Sequence, residues 1–132
     1  MVFESHTMND EQFEAGLATR KQVMGEDFVA RAFASVTDFT APLQQHITRA
    51  AWGDVWQRPG LDLKTRSLVT VAMLTALGKQ HELKGHVRGA LNNGATVQEI
   101  QEVLLHATIY CGVPTAVEAF RSAAEVVGDA AV

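Results

Sequence analysis

The stretch "DLKTRSLVTVAMLTALG", Asp62 to Gly78, decides the fold. Its middle, "SLVTVAML", carries enough branched residues to read as a strand. The flanks and the length favour a helix. Asp62 is a good N-cap, Gly78 is a good C-terminal stop, and the segment between them is longer than most strands. Read as a helix, it places Leu68, Val69, Val71, Ala72, Met73, Leu74 and Leu77 around most of its circumference, which predicts burial on nearly all sides. A chain of 132 residues has few elements with which to surround such a helix. Other copies of the chain are a natural source of cover, so self-association is expected.

Working outward, "QRPGLD" before this helix is a turn, because Pro59-Gly60 breaks regular structure. Upstream, "TAPLQQHITRAAWGDVW" reads as one helix opened by Thr40 and Pro42, with Leu43, Ile47, Ala50 or Ala51, and Val55 on one face. "EDFVARAFASV" is a short helix. Before it, "DEQFEAGLATRKQVMG" is capped by Asn9 or Asp10 and stopped by Gly25. Downstream, "GKQHELKGHVRGALNNGAT" is a charged helix between Gly78 and Gly94. Thr96 and Glu99 form a capping box ahead of "VQEIQEVLLHATIYCG". Gly112 and Pro114 then separate it from a last helix, "PTAVEAFRSAAEVVG". The reading is all-α: a single-domain bundle of about six to seven helices over residues 9–128, with tails at 1–8 and 129–132.

Composition narrows the function. Apolar residues make up 47% and charged residues 20% of the chain, which is globular rather than disordered. A net charge of −4 without a concentrated basic face argues against nucleic acid as a partner. No apolar run approaches the length needed to span a bilayer, and "MVFESHTMNDEQ" lacks the pattern of a signal peptide. The expected location is the cytoplasm, with no membrane partner. One cysteine, Cys111, cannot form an internal disulfide. Lying at a helix C-terminus, where the dipole disfavours a thiolate, it reads as a small buried residue rather than a nucleophile.

Five histidines and a few arginines carry the candidate chemistry. Glu82 and His86 stand at i and i+4 of one helix and share a face. A carboxylate bonded to one imidazole nitrogen fixes the tautomer and raises the basicity of the other, giving a general acid/base unit. The plainer alternative is a surface ion pair. His81 lies about 100° round the helix from Glu82 and reads as solvated; His46, among polar neighbours, reads as exposed. His106, flanked by apolar residues, is either a core histidine or one facing a pocket, with the core reading favoured. His81 and His86 are five apart and no HExxH occurs, so no metal site is expected. Arg66, at the start of the apolar helix, needs a carboxylate from protein or ligand. Arg58, beside Trp52 and Trp56, belongs either to a pocket wall or to ordinary packing with a solvated guanidinium. Arg49 and Arg88 are further anion-binding candidates.

The segments "MNDEQFEAGLATRKQVMG", "AWGDVWQRPGLDLKTRSLVTVAML", "ALGKQHELKGHVRGALNNGAT" and "LLHATIYCGVPTA" resemble the carboxymuconolactone decarboxylase family, from about Met8 to Val127. The resemblance implies an alkylhydroperoxidase-D-like helical fold, homotrimers or hexamers, and a cytoplasmic enzyme of protocatechuate catabolism in the 3-oxoadipate pathway. The reaction implied is decarboxylation of 4-carboxymuconolactone, a small lactone dicarboxylate, to an enol-lactone and CO2, with no cofactor. Peroxidase relatives carry CxxCxxxH. Aligned on His86, their cysteines fall at Lys79 and Glu82, so thiol peroxidase chemistry is not expected. On this resemblance His86 is the proton donor and Glu82 its orienting carboxylate. Arg66 or Arg58 clamps the acetate carboxylate, and Trp52 with the apolar surroundings of His106 forms a dry wall. A related lactone decarboxylase or isomerase, and a catalytically silent helical oligomer, are the alternatives.

Overall fold

The computed structural model describes residues 2–128, with side chains described from residue 11 onward; the expected tail at 129–132 lies outside the described residues. Seven α-helices are present among the described residues and no strand. They are α1 (Val2–Met24), α2 (Glu26–Ala34), α3 (Ala41–Ile47), α4 (Leu63–Leu77), α5 (Gln80–Asn92), α6 (Val97–Tyr110) and α7 (Val113–Val127). None of these is long and apolar enough to cross a membrane. The chain divides into two compact units, residues 1–61 and 62–132.

In the first unit, α1 packs on α2 and on the segment that follows α3. Its start at Val2 precedes the expected cap at Asn9 or Asp10. No proline interrupts residues 2–24, so the helix continues through those polar residues. Gly25 stops it with φ 94°, a conformation that suits a residue without Cβ. The third helix departs most from expectation. In place of one helix over 40–56, α3 ends at Ile47, Thr48–Trp52 forms a π-helical turn, and Val55–Gln57 forms a 3₁₀ turn. The predicted face is wrong as well. Leu43 and Val55 are exposed, and the buried positions are Thr48, Trp52 and Trp56.

Two glycines explain the break. A Cβ on Gly16 of α1 would lie 2.1 Å from the Thr48 carbonyl oxygen, and one on Gly53 would lie 2.3 Å from the Gln12 carbonyl oxygen. The backbone of α1 therefore lies directly against the turn, closer than any side chain allows. The turn's carbonyls are served from outside their own helix. Gln12 Nε2 donates to the Arg49 carbonyl at 3.2 Å, and Gln57 Nε2 donates to the Trp52 carbonyl at 2.9 Å and to Thr19 Oγ1 at 2.7 Å.

In the second unit the predicted punctuation holds. Asp62 caps α4 by accepting from the Thr65 N–H at 2.7 Å, Gly78 ends it at φ 69°, and Thr96 and Glu99 form the capping box of α6. α4 packs on α5 and α6, and α7 packs on α5 and α6. The core between them contains Val71, Leu83, Val87, Ala90, Ile100, Leu104, Ala119 and Val126. Asn93 Nδ2 donates to buried Ser67 Oγ at 2.9 Å, which ties the end of α5 to the start of α4.

Within one copy of the chain α4 is buried along one stripe only. The buried stripe is Ser67, Val71 and Thr75, while Val69, Met73 and Leu77 on another stripe are exposed. The helices α5, α6 and α7 of the same copy cover only part of α4, and the open stripe is the one for which cover by other copies is expected.

Candidate active site

The second unit holds Glu82, His86, Arg66 and His106. Glu82 and His86 lie on α5, one turn apart; Glu82 is exposed and His86 is half-buried. Arg66 lies in the first turns of α4 and is half-buried. Leu83 and Val87, immediately after Glu82 and His86 in sequence, are fully buried and fix the rotation of α5. The Glu82–His86 side of the helix is thereby held at the margin of the core, where one side chain reaches water and the other is partly withdrawn from it.

His106 is not a core histidine. It is exposed on α6, and its ring lies tilted against Tyr110, with centroids 4.9 Å and planes 36° apart. The core reading failed because α6 buries Ile100, Leu104 and Ala107, and His106 falls off that stripe. His106 instead lines a groove of about 690 Å³ between α4 and α6. Leu68, Val69, Ala72 and Val103 give it apolar walls, and Glu102 and Thr65 add polar groups. A concave, largely apolar surface with few polar groups is the usual form of a small-molecule site. Cys111 also lines this groove as a half-buried free thiol, so it is not the enclosed small residue expected. Sequence reasoning passed over Glu102. The signal was there: Glu102 precedes His106 by four residues, the spacing that marked Glu82 and His86.

The charged groups at the mouths of these helices are tuned by local bonds. Lys64 Nζ lies 2.9 Å from Glu99 Oε2. Lys64, together with the Thr96 N–H, holds the Glu99 carboxyl below its ordinary range. Bonding from Thr65 does the same for Asp62. No group of three or more His, Cys, Asp or Glu side chains placed to hold a metal occurs among the described residues.

The first unit holds Trp52 and Arg58. Trp52 is buried and stacks on Trp56, with ring centroids 4.6 Å apart and planes 24° apart. Arg58 is exposed in the loop after the 3₁₀ turn. Sequence reading missed Arg20 altogether. Its side chain is only 6% exposed, although it carries a charge. Its bonds go to neutral oxygens, Gln44 Oε1 at 2.9 Å and Thr48 Oγ1 at 3.4 Å, and its guanidinium sits over the Phe33 ring at 5.7 Å. Burial pushes its pKa below the ordinary arginine value. His46 and His81 are exposed, as expected.

Residues 41–125 match the model of the carboxymuconolactone decarboxylase family. Among curated proteins, the chain is 47% identical over 123 residues to a 4-carboxymuconolactone decarboxylase from Acinetobacter baylyi, covering 92% of each chain. It is 45% identical over 129 residues to a nitrosuccinic acid decarboxylase from Metarhizium robertsii, covering 95% of this chain and 90% of the relative. An uncharacterized 15.0 kDa protein from Paracoccus denitrificans is 36% identical over 77 residues, 57% of this chain and 58% of that one.

Proposed function

The chain belongs to the carboxymuconolactone decarboxylase family, and on that premise we propose that it removes CO2 from 4-carboxymuconolactone to give the enol-lactone of 3-oxoadipate. The observation that carries this reading is the 47% identity to a decarboxylase of that name over nearly the whole of both chains.

The chemistry accounts for what the protein must supply. Breaking the bond between the γ-carbon and its carboxylate leaves an electron pair on that carbon. The adjacent C=C and lactone C=O accept it as a dienolate, so the substrate carries its own electron sink, the task a cofactor performs elsewhere. The protein's share is to hold the acetate arm, keep water from the departing carboxylate, stabilise the oxyanion and return a proton to the α-carbon. His86, half-buried on α5, is the proton donor and Glu82 its orienting carboxylate. Arg66 or Arg58 binds the acetate through the guanidinium fork. Trp52 supplies apolar surface, and His106 with its groove takes part in substrate binding. The departing carboxylate should meet no strong cation, because stabilising it in the ground state would raise the barrier.

A second reading is favoured by the 45% identity to a nitrosuccinic acid decarboxylase. Nitrosuccinate and the lactone share one arrangement: the carbon that loses CO2 also bears a CH2-carboxylate arm and an electron sink, nitro in one and a vinylogous carbonyl in the other. A site that holds the arm and protonates the resulting carbanion serves both.

Self-association, in a trimer or hexamer of alkylhydroperoxidase-D-like subunits, belongs to the same proposal. Exposed Met73 and Leu77 on α4, Ile109 and Tyr110 on α6 and Val113 on α7 support it, because that much large apolar surface is costly in water. Protocatechuate catabolism in the cytoplasm is the corresponding setting.

The test is direct. The purified chain should consume the lactone with release of CO2, and nitrosuccinate should be assayed beside it. His86→Ala should keep the fold and lower lactone turnover by roughly 10²-fold or more. Arg66→Ala and Arg58→Ala should act chiefly on KM if the clamp holds ground and transition states alike. No CO2 from either acid would mean a silent helical protein, and full turnover by His86→Ala would remove His86 from the mechanism.

A further inference from the structure

Arg20 is a buried charge with no role in the chemistry above, and the π-helical turn at Thr48–Trp52 departs from regular α-helix. They meet at Thr48, whose side chain is fully buried. Thr48 Oγ1 donates to the Gln44 carbonyl at 2.6 Å and accepts from Arg20 Nη1 at 3.4 Å, while Arg20 Nη1 also donates to Gln44 Oε1 at 2.9 Å. The guanidinium thus grips both ends of the step from α to π register. A buried guanidinium that tied helices together for stability alone would be better served by a carboxylate. Here the partners among the described residues are neutral acceptors and an aromatic face, none of which carries a compensating charge. π-turns cost helix stability and are frequent at functional sites. This one ends on Trp52.

We propose that Arg20 is a positioning residue. Through Gln44 and Thr48 it sets the register of the π-turn, and that register places the Trp52 indole on Trp56 in the orientation the reaction uses. Gly16 and Gly53 supply the close backbone approach. Gln57 fixes the far end through the Trp52 carbonyl. Arg20 itself touches no substrate. The inference rests on the reading of Trp52 as apolar surface at the substrate.

Two stacked indoles couple and give a signed pair of bands in circular dichroism, which reports their geometry without substrate. Thr48→Val keeps the volume and removes the hydroxyl. It should weaken the paired bands and lower kcat on the lactone by roughly 10–100-fold, the scale of a misplaced wall, with a smaller change in KM. Arg20→Met should do the same. Arg20→Lys should recover only part of the loss, because one ammonium cannot reproduce the planar fork. If Arg20→Met does not fold, Thr48→Val and Arg20→Lys decide. Paired bands and kcat both at the parent level in these two variants would overturn the proposal. Trp52→Phe separates the premise. If it turns over at the parent rate, Trp52 is no wall and the catalytic half of the proposal falls. The geometric half is then judged by the bands of Thr48→Val alone.

Discussion

The two units reach compact helical structure by different physics. In the second, a contiguous aliphatic core of Val71, Leu83, Val87, Ile100 and Leu104 does the work, and polar contacts sit at helix ends. In the first, α1 meets the π-turn backbone to backbone at Gly16 and Gly53, and directed bonds from Gln12, Arg20 and Gln57 finish the fit. A core built on volume tolerates substitution as long as the volume is kept. A contact set by backbone approach tolerates no added atom. The first unit should therefore be intolerant of gain and the second intolerant of loss.

The largest effect on stability should come from loss in the second unit. Leu83 is fully buried within the core cluster. Leu83→Ala should cost about 2–5 kcal/mol, read from urea unfolding, through lost transfer energy and the cavity left behind. Leu83→Met should cost under about 1.5 kcal/mol, since volume is nearly conserved. Equal losses in the two variants would break the volume argument.

Next comes gain in the first unit. Gly16→Ala adds one methyl group where the nearest atom is a backbone oxygen. Helix propensity favours alanine by about 1 kcal/mol, so an elastic contact would leave the variant more stable. A rigid one should make it less stable by about 1–3 kcal/mol, the usual range for overpacking. A raised melting temperature would show that α1 and the turn can separate at little cost, and the contrast between the units would go with it.

The same contrast separates what sequence could show from what it could not. Asp62, Gly78, Thr96 and Glu99 act on their own neighbours, so their caps and stops were legible from spacing. The i,i+4 relation of Glu82 and His86 was legible for the same reason. The π-turn was not, because its cause lies some thirty residues earlier, where Gly16 admits the Thr48 carbonyl. Arg20 was passed over on similar grounds. Nothing local distinguishes "ATRKQ" from a solvated helix face, and its burial follows from Gln44, Thr48 and Phe33, distant in sequence. His106 misled in the other direction. Apolar neighbours suggested enclosure, while helix rotation placed His106 on a groove.

The smallest effect should come from the polar rim of the second unit, where Glu99 serves the Thr96 N–H at 2.9 Å and Lys64 Nζ at 2.9 Å. These bonds lower the folded-state pKa of Glu99 beneath its unfolded value. Their stabilisation is then fully present above the unfolded carboxylate pKa and is lost as pH falls through the folded one. Glu99→Gln keeps an oxygen for the capping box and removes only the charge. The variant should melt slightly below the parent at pH 7, and the gap should close as the parent's own carboxyl is protonated in acid. High salt should narrow the gap as well, because an exposed ion pair is screened. A gap that persisted in acid would mean that the amide fails to cap α6, and the rim would then contribute through geometry, as the first unit does, rather than through charge.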